Sequence, residues 1–228
     1  MKKSPLFLIL LLLPALNIFA QDCNAFYPLQ EGEVREYTNY DKKGKLNGVT
    51  TNRIVYVDEE DGVINAEMEI TGTYNGKKEL EPKNLQVSCE DGIYTMDLEG
   101  MLGPEVLGAM GQNNDSEVEV SGTALQMPSK LEVGQELKDA DIDFSFGPIQ
   151  GSMNYFNRKV TGKEEISTSA GSFLCYKMEY DVKLKMLIGK SMHIEEYYSE
   201  GIGMVSSKTY NTKGKLLGST ELTRFERP

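Results

Sequence analysis

"FLCYKMEYDVKLKML", Phe173 to Leu187, is the stretch that decides the fold. Leu174, Tyr176, Met178, Tyr180, Val182, Leu184 and Met186 take one parity, and Lys177, Glu179, Asp181, Lys183 and Lys185 take the other. Sustained period two predicts a long antiparallel strand with one buried and one wetted face. The alternation returns at Ile64, Ala66, Met68 and Ile70 against Glu67 and Glu69, at Tyr94, Met96 and Leu98, and at Val118 and Val120 against Glu117 and Glu119. Clusters of Asp, Asn and Gly at 58–62, 74–78 and 90–92 punctuate these runs at hairpin intervals. The pattern predicts a mainly β chain: a single strongly bent antiparallel meander, half-barrel or open barrel.

Two nonapeptides flank this pattern, "YDKKGKLNG" at 40–48 and "YNTKGKLLG" at 210–218, and seven of eleven positions match between 40–50 and 210–220. Asp41 or Asn211 can cap a type I turn through its side chain, and Gly44 or Gly214 can take the left-handed conformation that closes a bulged loop. Both stretches read as hairpin tips, and the first and last hairpins as related units. Lys42, Lys43, Lys45, Lys213 and Lys215 crowd these tips. They read first as protection against edge-to-edge strand pairing. Contact with an acidic partner is the second reading.

One segment departs from the β pattern. "MLGPEVLGAMGQNN", 101–114, puts Pro104 at a first helical turn and Val106, Leu107 and Met110 on one side, before Gly111 and Asn113 end it. It predicts one short helix between two β halves.

The opening "MKKSPLFLILLLLPALNIFAQDC" has a basic start, an apolar run from Leu6 to Leu13 and a small residue at Ala20. The run is too short to span a bilayer and reads as a cleaved export signal, residues 1–20, with the mature chain starting at Gln21. No transmembrane segment follows it. Lipid attachment at Cys23 would want a leucine-like residue three positions earlier and a small one just before, but the chain has Ala20 and Asp22 there. The remaining 208 residues suffice for one β-rich domain, 21–228, that buries about 70% of its unfolded surface. Without Lys2 and Lys3, 22 basic residues face 35 acidic ones, a formal charge of −13. Such a surface repels phosphate backbones and anionic lipid headgroups alike, so nucleic acid is excluded as a partner. An exported chain with Cys23, Cys89 and Cys175 can hold one disulfide and one leftover thiol. If both tips point the same way, strand alternation sends all three cysteines to the opposite end. The reach of the N-terminal segment then favours Cys23 with Cys89.

No catalytic or metal constellation emerges. His193 is the single histidine, and parity puts it with Glu195 on the wetted face, opposite Met192, Ile194 and Tyr198. Taking Cys175 to pair near Gly201 places it roughly 30 Å from His193 along the sheet, too far for a dyad. "DADIDF", 139–144, opens like a calcium loop, but Phe144 stands where glycine is needed and Gln150 where a bidentate glutamate is needed. "DEED", 58–61, reads as a solvated acidic turn. The chain has no Trp to stack sugars, and no nucleophile motif or phosphate loop. A glycosidase carboxylate pair is a spatial feature that acids this plentiful neither establish nor remove. The expectation is a non-enzymatic protein with no cofactor and no metal.

"YPLQEG" (27–32), "YDKKGK" (40–45), "CEDGIYTMDL" (89–98), "MLGPEVL" (101–107), "LEVGQEL" (131–137), "SAGSFLCYKMEY" (169–180) and "GIGMVSSKTYNTKGKL" (201–216) occur in that order. On these motifs the mature chain resembles the exported TapB-like bacterial family, whose role is unknown. The last two are also distantly similar to the curved-sheet domains of periplasmic lipoprotein carriers. That likeness implies a β half-barrel that cups an apolar ligand, by analogy of fold alone.

Met101, Leu102, Val106, Leu107 and Met110 are more apolar than a surface helix requires, and Gly103, Gly108 and Gly111 loosen their segment. With Met68, Met96, Met178, Met186 and Met192, adaptable thioethers on the strand faces, they are candidates to line a pocket for an apolar or lipid-like molecule. The competing expectation is that these methionines fill an irregular core. The alternative function is an envelope interaction protein that offers a sheet face or edge to another protein. Periplasm and cell surface both fit an exported chain.

Overall fold

The computed structural model describes residues 23, 26, 27, 29–74, 78–80, 82–98, 118–146, 149–186 and 189–228. The expected leader and the expected helix at 101–114 lie outside them. Described strands are β1 (Val34–Asp41), β2 (Leu46–Glu60), β3 (Val63–Tyr74), β4 (Lys78–Glu79), β5 (Lys83–Glu90), β6 (Ile93–Met96) and β7 (Val118–Gly122). They continue with β8 (Gln126–Pro128), β9 (Ala140–Phe146), β10 (Ile149–Thr168), β11 (Gly171–Lys185), β12 (Lys190–Ser199), β13 (Gly203–Asn211) and β14 (Leu216–Glu226). All belong to one antiparallel sheet, ordered β7-β9-β10-β11-β12-β13-β14-β1-β2-β3-β5-β6-β8, with β4 on β3.

The chain ends meet in the middle. β14 pairs with β1 from Val34 opposite Glu226 to Asp41 opposite Gly218. That register sets the two related hairpins side by side with their tips pointing the same way. The tips match atom for atom: Asp41 Oδ1 accepts from Lys43 N and Lys45 N at 2.8 and 2.9 Å, and Asn211 Oδ1 from Lys213 N and Lys215 N at 2.9 and 3.0 Å. Gly44 and Gly214 have φ of 72° and 71°, a left-handed conformation that favours glycine. At the opposite end Asp61-Gly62 and Asp91-Gly92 make tight turns with positive φ at both residues.

Edge strands β7 and β8 are joined by only Thr123, Ala124 and Leu125. Laid flat, the thirteen-strand path would separate them by about 58 Å, yet four Cα steps reach at most about 15 Å. The sheet therefore curls until its edges face one another, without closing. Arg158, 2% exposed, pins this seam: from β10 it donates to Lys138 O at 2.5 Å and to Gln126 O, in β8, at 3.0 Å. One apolar core draws on both arms, with Ile54, Met68, Leu85 and Tyr94 from one and Ile142, Met178, Tyr180 and Val182 from the other.

The alternation of β11 fails at one place. Leu174 is 57% exposed, while its neighbour Cys175 is wholly buried. Cys175 packs with Tyr197 and Val205 in a small separate cluster, so near its start β11 buries the parity that it wets elsewhere.

Candidate functional site

The two ends of the curled sheet differ. At the end away from the lysine tips, a disulfide joins Cys23 to Cys89 and straps the N-terminal segment across the inner face. The ring of buried Phe26 meets that of Tyr176 edge-on at 5.6 Å, and Tyr27 sits between Tyr94 and Tyr198. Tyr94 Oη donates to Tyr27 O at 2.7 Å and accepts from Tyr27 N at 3.3 Å. Burial pushes the Tyr27 phenol up to about 12, against the Arg35 guanidinium 5.3 Å from its ring. Beside the strap, buried Glu33 pairs with buried Arg35 and accepts from Arg227 Nε at 2.9 Å. Burial raises its carboxyl above the ordinary range even so.

Toward the tips the inner face changes character. Met186, Met192 and Ile194 are only half-buried against the core. The central floor is polar: Thr220 Oγ1 donates to Asn39 Oδ1 at 2.7 Å, and Asn39 Nδ2 to Thr50 Oγ1 at 3.2 Å. Asn52 Oδ1, on the same face, is buried with no hydrogen-bond partner among the described residues. Between the strapped end and the tips, Glu196 accepts from Tyr180 Oη at 2.8 Å and Tyr198 Oη at 2.7 Å. Desolvation raises the Glu196 carboxyl; those two hydroxyls and the Arg158 charge pull it down without cancelling the rise.

A groove of about 690 Å³, lined by residues including Phe156, Asp181, His193, Glu195 and Tyr210, lies beside the β13–β14 tip. His193 Nδ1 is 3.0 Å from Asp181 Oδ1. Burial acts to raise the Asp181 carboxyl, but hydrogen bonds from Asn157 and His193 hold it below its usual range. Ligand atoms of Glu179, His193 and Glu195 lie within 4.8 Å of one another. The Lys177 ammonium already occupies the carboxylates, 2.6 Å from Glu179 and 2.9 Å from Glu195, so a cation would have to displace it. Among the described residues no serine or cysteine hydrogen-bonds His193. The groove has an oriented base but no nucleophile beside it.

A family profile described as DUF3108-like matches residues 30–222. The chain belongs to the DUF3108-like family. Two solved structures align over 90% of this chain and 100% of their own. One is a protein from Bacteroides fragilis, described as exported with a YmcC-like fold, at 24% identity and TM-score 0.75. The other is described as a lipoprotein of Parabacteroides distasonis, at 22% identity and TM-score 0.76. At these identities the likeness shows the fold alone. No curated protein matches the chain.

In this DUF3108-like chain the residues singled out from sequence fall into four groups. Met68 and Met178 are buried core members, and Met96, Met186 and Met192 pack half-buried against them. Met101, Leu102, Val106, Leu107 and Met110 lie outside the described residues. Cys23 and Cys89 are bridged, which commits the Cys23 sulfur, and Cys175 is free and buried. His193 is half-exposed on the outer face, as its parity requires. Cys175 pairs with Ser199, two residues from Gly201, so it stands about 20 Å rather than roughly 30 Å from His193 along the sheet, still beyond dyad reach.

The edge-protection reading of the tip lysines is overturned. β1, β2, β13 and β14 are all interior strands, paired on both sides. Sequence reasoning missed Glu196, although a carboxylate at the inner parity of Met192, Ile194 and Tyr198 was its visible mark. Arg158 left no such mark.

Proposed function

We propose that this chain is a non-enzymatic exported binding protein of the TapB-like kind, holding an apolar or lipid-like molecule against the inner face of its curled sheet. The observation that carries the reading is the gradient along that face. Phe26, Cys89, Tyr94 and Tyr198 are buried at the strapped end, whereas Met186, Met192 and Ile194 toward the tips are left half-buried beside a polar floor. Such a surface offers adaptable apolar contact with a few polar groups to orient an occupant. The leader ending at Ala20 supports export, and the descriptions of the two similar solved structures favour an envelope location.

The test is native mass spectrometry of protein isolated from its own envelope, with lipid extraction and displacement of a fluorescent fatty acid. A co-purifying apolar molecule is expected, with micromolar probe binding that Met192→Glu weakens at least tenfold in a folded protein. If nothing co-purifies and the probe fails to bind wild-type protein, the reading falls.

A further inference from the structure

The β13–β14 and β1–β2 tips carry Lys213 and Lys215, and Lys42, Lys43 and Lys45, all exposed. The neighbouring β11–β12 hairpin turns at the same end, where Leu184 pairs with Lys190 and Met192 with Asn211, and adds Lys183, Lys185 and Lys190. Across the six adjacent strands these lysines form a row about 24 Å long. None of the eight makes an ion pair among the described residues, in a chain of formal charge −11. The acids close by are engaged: Asp41 by the Lys43 and Lys45 backbone, and Asp181 by Asn157 and His193. Among the described residues, Asp143, two strands from Lys185 in register, and Glu79, two strands from Val49, add exposed carboxylates on either side of the row.

Edge protection does not account for this row, because its strands are interior. Two exposed leucines sit among the lysines, Leu46 at 58% and Leu217 at 40% exposure. Basic side chains interleaved with exposed apolar ones, at the projecting end of an exported protein, match the chemistry of an anionic bilayer surface. A protein partner is the poorer match, since lysine is depleted and arginine and aromatic residues enriched at protein interfaces, and these tips carry no arginine.

We propose that the lysine-tipped end docks on anionic lipid headgroups, with Leu46 and Leu217 entering the interfacial layer. The acidic total does not forbid it. Asp58, Glu59 and Glu60 lie at the far end of β2, some 40 Å or more along the strand from Leu46. The Debye length at physiological salt is about 8 Å, so the bilayer responds to the nearer lysines.

Sedimentation of the disulfide-intact chain with vesicles tests this. Binding is expected at low salt to phosphatidylcholine vesicles containing phosphatidylglycerol, with little to phosphatidylcholine alone. High salt should abolish it. Each tip lysine should be worth about fivefold, so Lys42→Gln/Lys43→Gln/Lys213→Gln/Lys215→Gln should weaken partitioning by about 100-fold or more. Leu46→Ser/Leu217→Ser should weaken it about tenfold, and Glu59→Gln/Glu60→Gln should leave it unchanged. Absence of binding at low salt overturns the proposal, as does binding that the lysine variant leaves intact. Salt-sensitive self-association lost in that variant, without vesicle binding, would assign the lysines to the acidic end of a second copy. The inference stands apart from the interior ligand: Met192→Glu is expected to bind vesicles like wild type, so either claim can fail alone.

Discussion

The two ends of the curled sheet are built on different chemistry. At the strapped end polar groups are buried and engaged: Glu33 with Arg35 and Arg227, and Tyr94 with Tyr27. At the tip end the charges are exposed and uncommitted, and the turns hold themselves through Asp41, Asn211 and two glycines. The difference teaches where this fold keeps its stability and where it has surface to spare. Buried partnered groups are costly to disturb, whereas exposed lysines can be changed with little effect on folding.

The largest expected effect comes from breaking the seam. Arg158→Ala removes two charge-assisted hydrogen bonds, strands the carbonyls of Gln126 and Lys138, and leaves a cavity. Urea denaturation should register a loss of about 4 kcal/mol. If Arg158→Ala costs less than a tip substitution, the claim that buried, partnered groups carry the stability is wrong.

Reducing the Cys23–Cys89 bridge, which spans 66 residues, should lower stability by about 3 kcal/mol by freeing the strap in the unfolded chain. Thiol labelling sharpens the same point. Burial pushes the Cys175 thiol up to about 11, so iodoacetamide should leave it unmodified until the protein unfolds.

Next comes the boundary between the ends. Because the folded Glu196 carboxyl keeps its proton to a higher pH than the unfolded one, ionising it opposes folding. Stability should fall as pH rises from about 4.3 through the folded-state value, and Glu196→Gln should flatten that decline. Urea midpoints of both proteins across pH 4 to 8 measure the difference; parallel curves would mean that Glu196 is not desolvated.

The smallest effects belong to the twin tips. Gly44→Ala and Gly214→Ala should each cost about 1 kcal/mol, and equally, since both sites have the same φ and open space around them. Unequal costs would break the equivalence of the two hairpins.

Much of this architecture was legible locally. Period two in β11, the Asp-Gly turns and the paired nonapeptides each specify structure within a few residues. The pairing of β14 with β1 was not, because it joins residues at opposite ends of the chain with no local mark. The interior place of both hairpins, and with it the failure of the edge-protection reading, follows only from that pairing. Leu174 and Cys175 exchanged roles for a similar reason: a second small cluster buries the parity that the main core leaves wet. The site was legible in part, with Met192 and the tip lysines visible as residue types, while Glu196 and Arg158 acquire meaning only from partners on other strands.

Amide hydrogen exchange with and without phosphatidylglycerol-containing vesicles tests most directly the claim that the tips are the working end and the strapped end the structural one. The account predicts slowed exchange at 42–48 and 212–218, with the turns at 60–63 and 90–93 unchanged. Protection at those acidic turns, or unaltered exchange at both tips under conditions where the protein sediments with the vesicles, would contradict it.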